Sequence, residues 1–160
     1  MDRRAITATN AIDLETVYRR DGARMQRALL LYSGSDVIAE DAVAEAFAQA
    51  LRRGGAIRDP AAWVWRSAFR IAAGSLRDRS REIQRTVTLE RYEIPVEAIE
   101  LMEALRKLPL KQRGALILHH MFGYTARESA AILGSTAPAV MVHLSQGRKR
   151  LRRLLEVDDV

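Results

Sequence analysis

Apolar residues recur along this chain at intervals of three, four and seven, the repeat of helices with one buried face. Leu14, Tyr18, Met25, Leu29 and Tyr32 form one such stripe and predict a first helix over about 13–32, ended by Gly34. A second stripe, Val43, Phe47, Ala50 and Leu51, predicts a helix from about 36 to 53. Asp36 in its first turn complements the helix dipole, and Gly54-Gly55 breaks it. Asp59 followed by Pro60 is a strong start signal, an N-cap and a first-turn proline. The helix it opens carries Trp65, Phe69, Ala72 and Leu76 on one face and Arg66, Arg70 and Arg77 elsewhere. These three helices can share a core. The stripe then lapses over about 80–95, which reads as a linker. Four more helical stretches follow, over about 96–108, 109–122, 125–133 and 136–155. No stretch shows the sustained alternation of a strand, so the fold class is all-α.

The sharpest local motif lies in the second half. Thr125-Ala126-Arg127-Glu128 has capping-box spacing, and Ala130, Ala131, Ile132 and Leu133 continue a short helix. Gly134 suits the turn, Thr136 the next N-cap, and Pro138 the first turn after it. Val140, Leu144 and Leu151 then hold the last helix to a core. This is the spacing of a helix-turn-helix, whose second helix enters the major groove of DNA. Local signals alone serve a plain helical hairpin equally well.

Charge sharpens the picture. The chain of 160 residues carries 26 basic and 20 acidic side chains, a net +6 that favours an anionic partner. Only Lys107, Lys111 and Lys149 are lysines; the other cations are arginine, whose planar fork suits phosphate and guanine edges. The charge comes in blocks: residues 36–50 hold four acids and no base, 52–85 are strongly basic, 90–103 acidic, and 148–153 hold five bases and no acid. With no cysteine there is no disulfide framework, thiolate metal site or cysteine nucleophile, as suits a reducing compartment. His119, His120 and His143 lack the partners that would complete a metal site. No phosphate loop, nucleophile elbow or acid–base pair is present, so neither an enzyme nor a cofactor is expected. No apolar run is long enough for membrane insertion.

The chain resembles the bacterial RNA polymerase sigma factors of the extracytoplasmic-function type, group IV of the sigma-70 family. The resemblance spans about 13–155. Ala39-Glu40-Asp41-Ala42-Val43-Ala44-Glu45-Ala46-Phe47 is similar to the family's acidic polymerase-binding helix, and Arg58-Asp59-Pro60-Ala61-Ala62-Trp63 to the entry of its promoter-reading helix. Leu108-Pro109, Arg113, Gly123, Glu128, Ala130, Leu133-Gly134, Val140, Leu144, Arg148 and Leu151 match its upstream-reading domain. The resemblance implies two small helical domains, sigma domain two over 10–80 and sigma domain four over 96–156, joined by a linker at 81–95. It implies as partners core RNA polymerase, through the β′ clamp and β flap, promoter DNA and an anti-sigma factor, all in the cytoplasm.

It also implies roles. Glu40, Asp41, Glu45 and Phe47 would contact polymerase. Arg53, Arg58, Trp63, Arg66, Arg70 and Arg77 would engage and open the minus-ten element, while Ala139, His143, Arg148, Lys149 and Arg150 would meet the minus-thirty-five element. Opening needs a pocket for an extruded base and cationic support for the single strand. Trp63 and Trp65 each suit either base stacking or core packing, and Trp65 lies on the apolar stripe. The sequence departs from the family at Ala44, Arg70, Gly74, Ser129, Pro138, Met141 and His143. Between 136 and 145 it offers no Arg, Lys, Asn or Gln for a bidentate base contact, so weak reading of the upstream element by base contact is expected, with specificity resting on the downstream element and its opening. Two other readings fit the residues: a free-standing helix-turn-helix regulator, which the acidic block argues against, and a sigma-like interaction protein without promoter reading, which the uncharged tip Met141, Val142 and Leu144 favours.

Overall fold

A computed structural model describes the backbone of residues 3–79 and 95–157 and the side chains of 13–78 and 95–156. The expected linker at 81–95 lies outside the described residues except for Pro95. Among the described residues the regular structure is helical: α1 (Arg3–Ser33), α2 (Asp36–Arg53), α3 (Pro60–Arg79), α4 (Val96–Arg106), α5 (Leu110–Leu116), α6 (Ala126–Leu133) and α7 (Ala137–Val157). A 3-10 turn, Gly54–Ala56, joins α2 to the approach of α3.

The local signals act as their chemistry requires. The Ser35 hydroxyl accepts from the Ile38 amide at 3.2 Å and starts α2. The Asp59 carboxylate accepts from the Ala62 amide at 3.1 Å and starts α3. Gly34 and Gly54 take positive φ, which only glycine adopts freely, and so turn the chain sharply between helices. Helix α1 starts ten residues before the expected position, and of the stripes predicted for α1 and α2 Tyr18 and Leu51 are exposed while the other members are buried.

Helices α1, α2 and α3 pack on one another, and α4 to α7 form a second group. The two groups dock, chiefly through α3 against α6, and their buried residues form one continuous core. Met25, Leu29, Trp65 and Phe69 lie on the first side of it, and Leu105, Ile117, Leu118 and Leu144 on the second. Leu144 is therefore core and does not belong to the exposed tip of the last helix.

Helix α5 does not run on to residue 122 as a plain α-helix. It passes into a π-helical turn, Ile117–Met121. The turn re-aims the chain, and Phe122 and Tyr124 insert beside Trp65 of the first group, with ring centroids 6.4 and 5.2 Å away. Arg24 lies over both rings and donates to the Phe122 carbonyl at 3.1 Å. Arg113 closes the other end of the contact. Its guanidinium donates to the carbonyls of Tyr32, Arg106 and Leu108 at 2.7, 2.8 and 2.9 Å, so one buried fork ties the end of α1 to the α4–α5 corner. Burial away from water lowers the pKa of this group below the usual arginine value.

Candidate polymerase and promoter surfaces

Helix α2 is two-sided. Ile38, Ala39, Ala42, Val43, Ala46, Phe47 and Ala50 face the core, and Glu40, Asp41 and Glu45 face solvent. The acids thus form a ridge held rigid from beneath. Phe47, expected on the polymerase surface, is 9% exposed and meets Tyr18 edge-on at 5.1 Å. It fixes the ridge to α1 from within. Gln26 donates to Glu40 at 3.5 Å. Glu45 accepts from Gln49 at 3.0 Å and Arg52 at 2.9 Å, and these two hydrogen bonds hold its carboxyl below the usual range.

Gln49 and Arg52 have a second role. With Arg53, Trp63 and Arg70 they line a cleft of about 460 Å³ where the end of α2 meets α3. The Arg53 guanidinium sits 5.8 Å above the Trp63 ring. The cleft is lined by one aromatic ring, three guanidinium groups, of which Arg52 pairs with Glu45 and Arg53 covers the ring, and an amide. An unpaired base and its phosphates have the complementary chemistry, a π face beside anionic oxygens.

The two tryptophans separate cleanly. Trp65 is buried and hydrogen-bonded to Asp21, so it is a core residue. Trp63, two positions earlier, points into the cleft. Arg58, Arg66, Arg70 and Arg77 are exposed, and of these four Arg70 lines the cleft. Arg66 faces the second group, where a Cβ placed on Gly134 would lie 3.9 Å from its Nη2.

The helix-turn-helix forms as its local chemistry demands. The Thr125 hydroxyl accepts from the Glu128 amide at 3.1 Å, and the Glu128 carboxylate accepts from the Thr125 amide at 3.2 Å. Gly134 takes the left-handed conformation and ends α6. The Thr136 hydroxyl accepts from the Ala139 amide at 3.3 Å and opens α7. Val140, Leu144 and Gly147 face the core. Gly147 is small by necessity: a Cβ there would meet Leu116 Cδ1 at 3.0 Å and Gln112 Cβ at 3.3 Å, so its absence lets α7 lie close on α5. Lys149 and Arg150 are exposed, and Arg148 lies 3.3 Å from the His120 ring. Ala139 and His143, expected to face DNA, are half-buried on the flank of α7. The outward positions of the first turns are Pro138, Met141 and Val142, and the helical period around the known core stripe identifies them.

The arrangement defines a class: an all-helical protein with an acidic ridge, an arginine–tryptophan cleft and a helix-turn-helix. The family model Sigma-70, region 4, matches residues 98–151. The chain is 30% identical over 151 residues to the ECF RNA polymerase sigma factor SigM of Mycobacterium tuberculosis, an alignment covering 88% of this chain and 76% of that protein. The same match holds for SigM of a second strain of that organism. The chain belongs to the ECF RNA polymerase sigma factors, which direct transcription initiation.

Solved structures share the fold. The sigma factor RpoE of Bartonella quintana, in complex with the anti-sigma factor NepR, superposes with a TM-score of 0.78 at 22% identity, covering 91% of this chain and 98% of that one. CnrH, in complex with the cytosolic domain of CnrY, superposes with a TM-score of 0.72 at 23% identity, covering 97% of this chain and 95% of that one. No described helix is long and apolar enough to cross a membrane.

Proposed function

We propose that this sigma factor divides its work between its two helical groups. Helices α1 to α3 act as sigma domain two, and α4 to α7 as sigma domain four. The exposed acids Glu40, Asp41 and Glu45 meet cationic surface on the β′ clamp of core RNA polymerase, with Phe47 supporting them from the core. The second group docks on the β flap. The cleft of Arg52, Arg53, Trp63 and Arg70 takes a base extruded from the minus-ten element: Trp63 stacks on it and the arginines neutralise the flanking phosphates. Arg58, Arg66 and Arg77, exposed outside the cleft, add positive charge for promoter phosphates. Helix α7 enters the major groove of the minus-thirty-five element, with Arg148, Lys149 and Arg150 on phosphate.

The observation that carries this reading is the adjacency on one helix of the acidic ridge and the arginine–tryptophan cleft. A partner holding the ridge brings the cleft to DNA of fixed position. The protein works in the cytoplasm, performs no chemistry of its own and takes no cofactor. An anti-sigma factor is a further partner, as NepR is of its sigma factor. It competes for the acidic ridge.

The test is transcription in vitro with core polymerase on fragmented genomic DNA. Discrete start sites are expected with the native chain. Asp41→Arg combined with Glu45→Arg should abolish polymerase binding, because like charges then face each other, while the helical circular dichroism stays unchanged. Unchanged polymerase affinity would remove the assignment of the ridge.

A further inference from the structure

Helix α7 presents an apolar tip on a cationic helix. Met141 is 58% exposed and Val142 52%. With the exposed Pro138 and the half-buried Ser145 they stand at i, i+3, i+4 and i+7, a single outward face. The opposite face, Val140, Leu144 and Gly147, is locked onto α5 by the close approach at Gly147, so α7 cannot roll to hide the tip without a clash. The polar side chains nearest the tip lie on the next turn: the Gln146 oxygen accepts from Gln112 at 3.3 Å, and Arg148 lies against His120.

We propose that this tip reads the upstream promoter element through thymine methyl groups, with Met141 and Val142 as the specificity-determining residues. The proposal rests on the assignment of α7 to the major groove. Exposed Lys149, Arg150, Arg152 and Arg153 follow the tip along the same helix, so charge complementarity selects a polyanion for this surface. Within the major groove the apolar feature on the base edges is the C5-methyl of thymine. A methionine and a valine side chain find their matching surface there and meet desolvated polar edges elsewhere. The upstream element is therefore rich in thymine on the strand facing the tip, and it is read by contact area in place of bidentate hydrogen bonds.

Replacement of thymine by deoxyuridine removes that methyl and leaves base pairing intact. A promoter found by transcription in vitro is rebuilt with single replacements across the upstream element and assayed with holoenzyme formed from the full chain. At one or more positions binding should weaken about fourfold, the effect of withdrawing one methyl group from apolar contact. Met141→Ala and Val142→Ala, both at exposed positions and both checked for an unchanged melting temperature, should weaken binding to the thymine promoter and no longer distinguish it from the deoxyuridine one. Normal transcription with no effect of any upstream replacement would overturn the proposal and leave the sigma-factor assignment standing. A native chain that yields no start sites on any DNA would overturn both.

Discussion

The indole Nε1 of Trp65 donates to Oδ2 of Asp21 at 3.1 Å, and both side chains are buried. Arg20 holds the same carboxylate from the solvent side at 3.0 and 3.1 Å. Burial alone pushes the Asp21 carboxyl up, but hydrogen bonds from Arg20 and Trp65 and the nearby positive charge outweigh it, so its pKa lies below the usual value. The ionised carboxylate therefore contributes stability above about pH 4, where an unfolded aspartate is already charged, and that contribution is lost as pH falls through the lower native pKa. Asp21→Ala should cost about 2–3 kcal/mol at neutral pH, since it strands a buried donor, and Asp21→Asn should cost less. Urea titrations at stepped pH would show the gap between native and Asp21→Asn chains narrowing below about pH 4.

The cleft between α2 and α3 predicts a separation of folding from function. Arg53→Ala and Arg70→Ala change exposed side chains and should leave thermal stability within about 0.5 kcal/mol, while Trp63→Ala, at a half-buried ring packed against the core, should cost about 1–2 kcal/mol without unfolding the chain. Open-complex formation should fall with each. Loss of Trp63 removes a stacking platform of about 1–3 kcal/mol, and loss of each arginine should lower the salt slope by about 0.7 if its phosphate lies on a single strand. Permanganate footprints of the melted region, identical across all three variants, would show these residues to be ordinary solvated surface.

Arg113 predicts a large effect at a residue far from both surfaces. Arg113→Ala leaves the carbonyls of Tyr32 and Leu108 without their buried donor and should cost about 3 kcal/mol or more. Arg113→Lys should recover only part of this, because an ammonium cannot span three carbonyls set for a planar fork. Chemical denaturation measures the cost. Small-angle scattering should show an increased radius of gyration for Arg113→Ala as the two helical groups part.

Ser129 predicts a gain. It is fully buried under the helix-turn-helix, and its hydroxyl has no hydrogen-bond partner among the described residues. Ser129→Ala removes the stranded polar atom at almost unchanged volume and should raise stability by about 1 kcal/mol, read as a higher urea midpoint at constant slope.

What the sequence discloses here follows the range of the force involved. The capping box at Thr125, the Asp59–Pro60 start and the left-handed Gly134 are contacts within one helical turn, and each stands where the pattern puts it. The acidic face of α2 is equally legible, since its period alone separates Glu40, Asp41 and Glu45 from the core stripe. The π-helical turn is not legible, because it serves a distant end: it delivers Phe122 and Tyr124 to Trp65. Arg113 stands out in the sequence through the family match alone, and its role as a buried tie appears once the carbonyls it serves are in place. On α7 the core stripe at Val140 and Leu144 already determines that Met141 and Val142 face outward. Ala139 and His143 flank that face and are half-buried.

The contacts between the two helical groups join residues far apart in the chain: Arg113 reaches Tyr32 across 81 positions and Arg24 reaches Phe122 across 98. The packing of α1, α2 and α3, and of α6 with α7, joins neighbours in the chain. Closing a long loop is entropically costly but hardly more so at 98 residues than at half that length, whereas local helix pairs form with little search. The expected order of assembly is hierarchical, with each helix cluster compact before the aromatic seam around Trp65 closes. Amide exchange should report the same hierarchy in reverse. Protons at the seam should exchange through a subglobal opening, while those in the centres of α2 and α7 wait for the clusters themselves to dissolve.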